Sequence, residues 1–223
     1  MFRKLLAIFR KDTLMNRAYQ RSFEMLDITL SMYKEARESL RKRDDNEVNL
    51  QVKETDKKVN SYEREVRRMV FNHLAVQGTA DLPSGLALIS IIIDIERIGD
   101  YAKNMVELAL DHPGLLHGGE FEDGIVRLEE ALTDNFVQAK KCFEEEDANM
   151  ALELLEKYAW LNDVCDQILV DVVKEKDKNI KPGDAAALVL YTRWLKRINS
   201  HLRNITTSVV NPFDRIGFEP KRE

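Results

Sequence analysis

The chain repeats itself at a spacing of about one hundred residues, and this repetition limits the folds open to it more than any other feature of the sequence. Leu88, Ile91, Ile95, Ile98, Ala102, Met105 and Ala109 recur at intervals of three and four, the pattern of one apolar helix face. One hundred residues later those places hold Leu188, Tyr191, Leu195, Ile198, Leu202, Ile205 and Val209. Arg97, Ile98 and Asn104 recur too, as Arg197, Ile198 and Asn204.

Two further seams repeat upstream. At an offset of 103, Met25, Thr29, Tyr33, Ala36 and Leu40 match Leu128, Leu132, Phe136, Ala139 and Phe143. Val52, Thr55, Val59, Tyr62, Val66 and Met69 match Leu155, Tyr158, Leu161, Cys165, Ile168 and Val172. Between these seams stand Asp44 to Asn46 in one half and Asp147 to Asn149 in the other, residue types that end one helix and cap the next. Each half therefore reads as three helices, over 16–42, 46–77 and 83–110, then over 120–145, 148–177 and 183–210.

The breaks agree. Pro83 and Pro182 stand at the starts of helical runs, with Ser84 and Asp184 beside them. The stretch 111–124 between the halves holds a proline and four of the nine glycines. Short connections make neighbouring helices antiparallel. The expected fold is all-α: two tandem three-helix bundles, six long antiparallel helices in all, related by a pseudo-two-fold axis. The expected organisation is a basic amphipathic segment at 1–15, repeats at 16–112 and 118–211, and a tail at 212–223.

Charge and composition narrow the function classes. A net charge of −5 lacks the concentrated basic face of a nucleic-acid binder. Cys142 and Cys165 fall inside apolar helical patterns without zinc or disulfide spacing, which suits a reducing cytoplasmic setting. The longest apolar run, Leu86 to Ile93, is far too short to span a bilayer. Near the N-terminus, Phe2, Leu5, Leu6 and Phe9 form one apolar face flanked by Arg3, Lys4, Arg10 and Lys11. Such a segment can pack on its own domain or a dimer partner, or lie peripherally on an anionic membrane.

The candidate site lies on the third helix, where Asp94, Glu96 and Asp100 interrupt an isoleucine-rich run. Glu96 and Asp100 fall about 40° apart on the helical wheel, away from the apolar seam, with Lys103 close by. Asp56, Asn60 and Glu63 form a similar stripe on the second helix, and antiparallel packing would bring the two stripes across one groove. Two readings follow. The acids are solvated and ion-paired with Arg64, Arg97 and Lys103, or Glu96, Asp100, Asp56 and Asn60 hold a cation, which for all-oxygen donors is Mg²⁺, Ca²⁺, Mn²⁺ or iron. Asp94, close to the seam, is expected to pair with Arg97 or a cation such as Arg193. In the second half Glu96, Asp100 and Asp94 are replaced by Lys196, Ser200 and Trp194, while Asn162 and Asp166 are read as standing where Asp56 and Asn60 do. Any metal is therefore expected on the first half alone.

The segment "DIERIGDYAKN" at 94–104, set in this repeat, resembles the signature of the PhoU family, whose members carry an E(D)xxxD motif in each of two three-helix repeats. The resemblance covers roughly 16–210. It implies a cytoplasmic, non-enzymatic regulator of phosphate uptake and phosphate-starvation signalling. Its partners would be a phosphate transporter's cytoplasmic components, a sensor histidine kinase, or both. Matching position also implies a divalent or iron-type metal at Glu96 and Asp100, with Asp56 and Asn60 on the neighbouring helix. The second motif, "WLKRINSHLRN", lacks the carboxylates, so a second metal cluster is not expected. A homodimer is the default assembly for such a helical regulator. Two other classes fit less well. A structural helical scaffold would need no metal. A ferritin-like enzyme would need Glu-x-x-His pairs, and none of His73, His112, His117 and His201 has a glutamate three residues before it.

Overall fold

The computed structural model describes residues 13–42 and 51–220. Residues 1–12, which hold most of the basic amphipathic segment, lie outside the described residues, as do the Asp44–Asn46 turn and the expected helix start at 46. The described residues contain helices and no strand. In chain order they are α1 (Leu14–Arg41), α2 (Gln51–Gln77), α3 (Leu82–Asp111), α4 (Glu122–Glu145), α5 (Ala148–Lys157), α6 (Trp160–Val173) and α7 (Pro182–Val210).

The all-α expectation holds, with one difference. The fifth expected helix is two, because the chain tightens at Tyr158 and Ala159. There the Ala159 and Leu161 amides donate to Glu156 and Tyr158, three residues back instead of four. No proline or glycine stands at that point. The helix also ends at Val173, four residues short of the expected 177.

Local chemistry sets the ends. The Thr13 hydroxyl accepts from the Asn16 amide at 3.2 Å and opens α1. Asp147 caps α5, accepting from the Asn149 and Met150 amides at 2.9 and 3.1 Å. Pro83 and Pro182 occupy the first turns of α3 and α7. Asp184 does not cap α7: it accepts from or pairs with His112 Nε2 at 3.0 Å, tying the start of α7 to the end of α3. In the connection between repeats Gly119 has φ +55°, and a Cβ there would lie 2.2 Å from Asp177 Oδ2, so the turn needs glycine.

Helices α3 and α7 form the centre. They pack on one another, α1 and α2 cover α3, and α4, α5 and α6 cover α7. Leu88, Ile91, Ile95, Ile98, Ala102 and Met105 are buried, as are Leu188, Tyr191, Leu195, Ile198, Leu202 and Ile205. Burying each larger side chain contributes about 1.5–3 kcal/mol, so these two rows supply much of the driving force. By length and composition a window within 51–111 is apolar enough to cross a membrane. It runs over two helices and the turn at 78–81, and Val70, Leu88, Ile91 and Ile92 in that region are buried in the bundle.

Burial makes the internal equivalence residue-specific. The offset is 103 for α1 and α4, and 100 for α3 and α7, as the seams require. For the middle helices it is 102: Val52, Asp56, Val59 and Val66 are buried, and so are Leu154, Tyr158, Leu161 and Ile168. Leu154, not Leu155, is therefore the seam residue. Asn162 stands where Asn60 does and Tyr158 where Asp56 does, so the sequence alignment of Asn162 with Asp56 is corrected. Tyr101 and His201 are equivalents under the hundred-residue offset, and their rings stack with centroids 5.8 Å apart. A residue that touches its own equivalent lies beside the axis relating the halves, which places the pseudo-two-fold there.

Candidate functional site

The first repeat brings the two acidic stripes together along the α2–α3 groove. Asp56, on α2, is 6% exposed and lies within the buried row of that helix, not beside it as its spacing suggested. Glu96 and Asp100, on α3, are half-buried. Lys103 joins the two helices, its Nζ lying 3.2 Å from Asp56 Oδ2 and 3.0 Å from Asp100 Oδ1. The Asn60 amide nitrogen also donates to Asp56 Oδ2, at 3.3 Å. Arg97 pairs with Asp100 Oδ2 at 3.2 Å and with Glu96 at 3.7 Å. On the α2 side Glu63 pairs with Arg67 at 2.8 Å.

Charge in this groove is unevenly compensated. Burial raises the Glu96 carboxyl above its ordinary value; Asp100, Glu63 and Asp56 push in the same direction, and Arg97 opposes them. For Lys103, burial acts to lower the ammonium's value, but hydrogen bonds to Asp100 and Asp56 outweigh it and hold the group firmly charged. Asp56 Oδ1 is buried without a hydrogen-bond partner. Among the described residues no three Asp, Glu, His or Cys side chains converge in a geometry that could hold a metal ion. The donors as arranged do not form a metal's ligand set: Asn60 turns its nitrogen to Asp56, and the ammonium lies between the two aspartates.

Glu96→Gln gives a direct reading of this imbalance. Because its value in the folded protein is raised, Glu96 favours folding fully only below the ordinary glutamate range, and that contribution is lost as pH rises through the raised value. At neutral pH the substitution removes one member of an i, i+4 acidic pair and should stabilise the protein by about 0.2–0.5 kcal/mol. Melting curves should show the gain at pH 7 and its disappearance on acidification.

The second repeat solves the same packing problem with the signs rearranged. Lys196, at the place of Glu96, reaches across to Asp166 on α6, with Nζ 2.6 and 2.5 Å from its two oxygens. Deeper in that repeat, the Asn199 amide donates to Asn162 at 3.0 Å and accepts from Asn135 at 2.9 Å. The equivalents of Asn199 and Asn135 are Gly99 and Met32, so an amide layer in one repeat is an apolar one in the other.

Asp94 does not pair with Arg97 or Arg193. Its Oδ1 faces across the central helix pair and accepts from His201 Nδ1 at 2.6 Å and Asn204 Nδ2 at 2.8 Å. The acid near the seam is thus a pin between the halves, and it belongs to neither groove. A second such pin escaped the sequence reading. Arg41, at the end of α1, donates to Glu129 at 2.9 Å and to Glu122 at 3.2 Å, and it also holds the Leu116 carbonyl. The Tyr191 hydroxyl donates to the same Glu129 oxygen at 2.6 Å. The signal was present: Glu129 takes the place of Leu26, an acid inside an otherwise apolar arc.

This arrangement, a duplicated three-helix bundle, has known counterparts. Residues 23–109 match the family model of the PhoU domain. Over that first repeat the chain is similar to the PhoU family. Its fold is that of solved PhoU proteins over most of its length. PhoU from Pseudomonas aeruginosa is 22% identical, with a TM-score of 0.76, over 88% of this chain and 95% of that one. The phosphate transport system regulatory protein PhoU from Streptococcus pneumoniae is 13% identical, with a TM-score of 0.73, over 88% and 93%. No curated protein matches the sequence. The PhoU match covers the repeat that keeps the acids and stops short of the one that has lost them, in line with the divergence of α7 from α3.

Proposed function

We propose that this chain is a member of the PhoU family and a cytoplasmic, non-enzymatic regulator of phosphate uptake and phosphate-starvation signalling, working by direct contact with a phosphate transporter's cytoplasmic components, with its sensor histidine kinase, or with both. The PhoU domain at 23–109 carries this reading. The Streptococcus relative, a phosphate transport regulatory protein by name, supports it at the level of fold. The side chains agree with a contact role. The strongest polar constellations, Arg41–Glu129 and Asp94–His201, tie helices together and are buried, as structural pins are. Both cysteine thiols are pushed up to about 12, chiefly by burial, which removes them as nucleophiles. A homodimer is the expected assembly.

Co-purification tests the reading. Tagged protein expressed in its host at high and at low phosphate should enrich transporter or kinase components in at least one condition. Enrichment of neither, in both conditions, would count against it.

A further inference from the structure

The PhoU resemblance implies a metal at the E(D)xxxD carboxylates, and the donors in this chain are arranged for something else. We propose that the cation of the α2–α3 groove is Lys103 itself, and that this groove is closed without a metal ion. Two observations and one electrostatic argument meet on that lysine. Its Nζ touches one carboxylate from each helix, Asp56 at 3.2 Å and Asp100 at 3.0 Å. A bound divalent ion would have to occupy that same space and would be repelled by the ammonium, whose charge is a fixed part of the chain. The Lys103 side chain is only 28% exposed and that of Asp56 only 9%, so water screens this contact less than a surface pair.

The remaining acids have their own counter-charges. Arg97 covers Asp100 Oδ2 and Glu96, and Arg67 covers Glu63. Asn60 reinforces Asp56 as a donor, where a metal ligand would offer its oxygen.

The second repeat supplies independent support. There too a lysine bridges the middle and third helices, Lys196 to Asp166, although it springs from the place of Glu96 and not from that of Lys103. Each repeat thus places one lysine of its own between these two helices. Lys103 is a positioning residue: it draws α2 and α3 together and fixes the direction of the Asp56 and Asp100 carboxylates.

The test is made on the full chain, using MnCl2 and anaerobic ferrous iron as probes. Wild-type protein should retain only substoichiometric manganese or iron after gel filtration, with an unchanged melting temperature. Lys103→Met should melt about 3 °C lower at pH 7, since a half-buried charge pair is lost from a chain of this size. Asp56→Asn combined with Lys103→Met should recover that loss, because the orphaned carboxylate is then gone, and Lys103→Arg should retain most of the wild-type stability. Stoichiometric metal in the wild type that disappears on Asp56→Asn would overturn the proposal. So would a Lys103→Met protein that melts with the wild type.

Discussion

Arg41→Met should cost the folded state about 3–5 kcal/mol, because it leaves a buried carboxylate without its counter-charge. Glu129 is 5% exposed, and its Oε1 receives both the Arg41 Nε at 2.9 Å and the Tyr191 hydroxyl at 2.6 Å. With the guanidinium removed, Tyr191 alone would satisfy that charge. Burial by itself would lower the Arg41 value, and Glu122 and Glu129 more than offset this, so the guanidinium stays charged. For a chain of this length the loss corresponds to a fall of about 10 °C in melting temperature. Urea denaturation and thermal melting both read it. The double substitution Arg41→Met with Glu129→Leu should recover most of the stability, since Leu26 already serves at the equivalent place in the first repeat. A single-substitution loss below about 1 kcal/mol would mean that the cluster is not the lock between α1 and α4.

Asp94→Ala should cost about 1.5–3 kcal/mol, the range for a buried hydrogen-bonded charge whose partners are left unsatisfied. His201 Nδ1 and Asn204 Nδ2 would both lose their acceptor, and His201 Nε2 is already buried without a hydrogen-bond partner. The Tyr101–His201 stack rests on the same imidazole, so the change acts at the pseudo-two-fold axis. Asp94→Asn keeps an acceptor oxygen and should recover part of the loss. Denaturation midpoints for the three proteins decide the matter, and an Asp94→Ala protein as stable as the wild type would show that α3 and α7 hold together on apolar contacts alone.

These pins mark where sequence reasoning stopped. Helix identity and order were legible because apolar periodicity and its repetition act along the chain: Met25, Ile95 and Ile198 needed no partner to be recognised as core. The groove was legible as well, since Asp56 and Asn60 face Glu96 and Asp100 once α2 and α3 are antiparallel. What the spacing left open was the choice of counter-charge. Lys103 was a neighbour by wheel angle, and only the close approach of α2 makes it a bridge. Asp94 escaped for a related reason. Its partners lie more than one hundred residues away across an axis, where no local period reaches. The same holds for Arg41, a helix-end residue whose carboxylates come from α4. The break at Tyr158 and Ala159 escaped because no proline or glycine announces it, and the one-residue shift at Leu154 lies before it, since the same offset of 102 holds at Leu154 and at Leu161.

As a regulator of the proposed kind, the protein would restrain phosphate entry. The most direct measurement is labelled phosphate uptake in the host, with the gene deleted and then restored, at high external phosphate. Deletion should raise uptake or leave the starvation response switched on, and the restored gene should return both to normal. Uptake and starvation signalling that stay unchanged in the deletion strain would contradict the account.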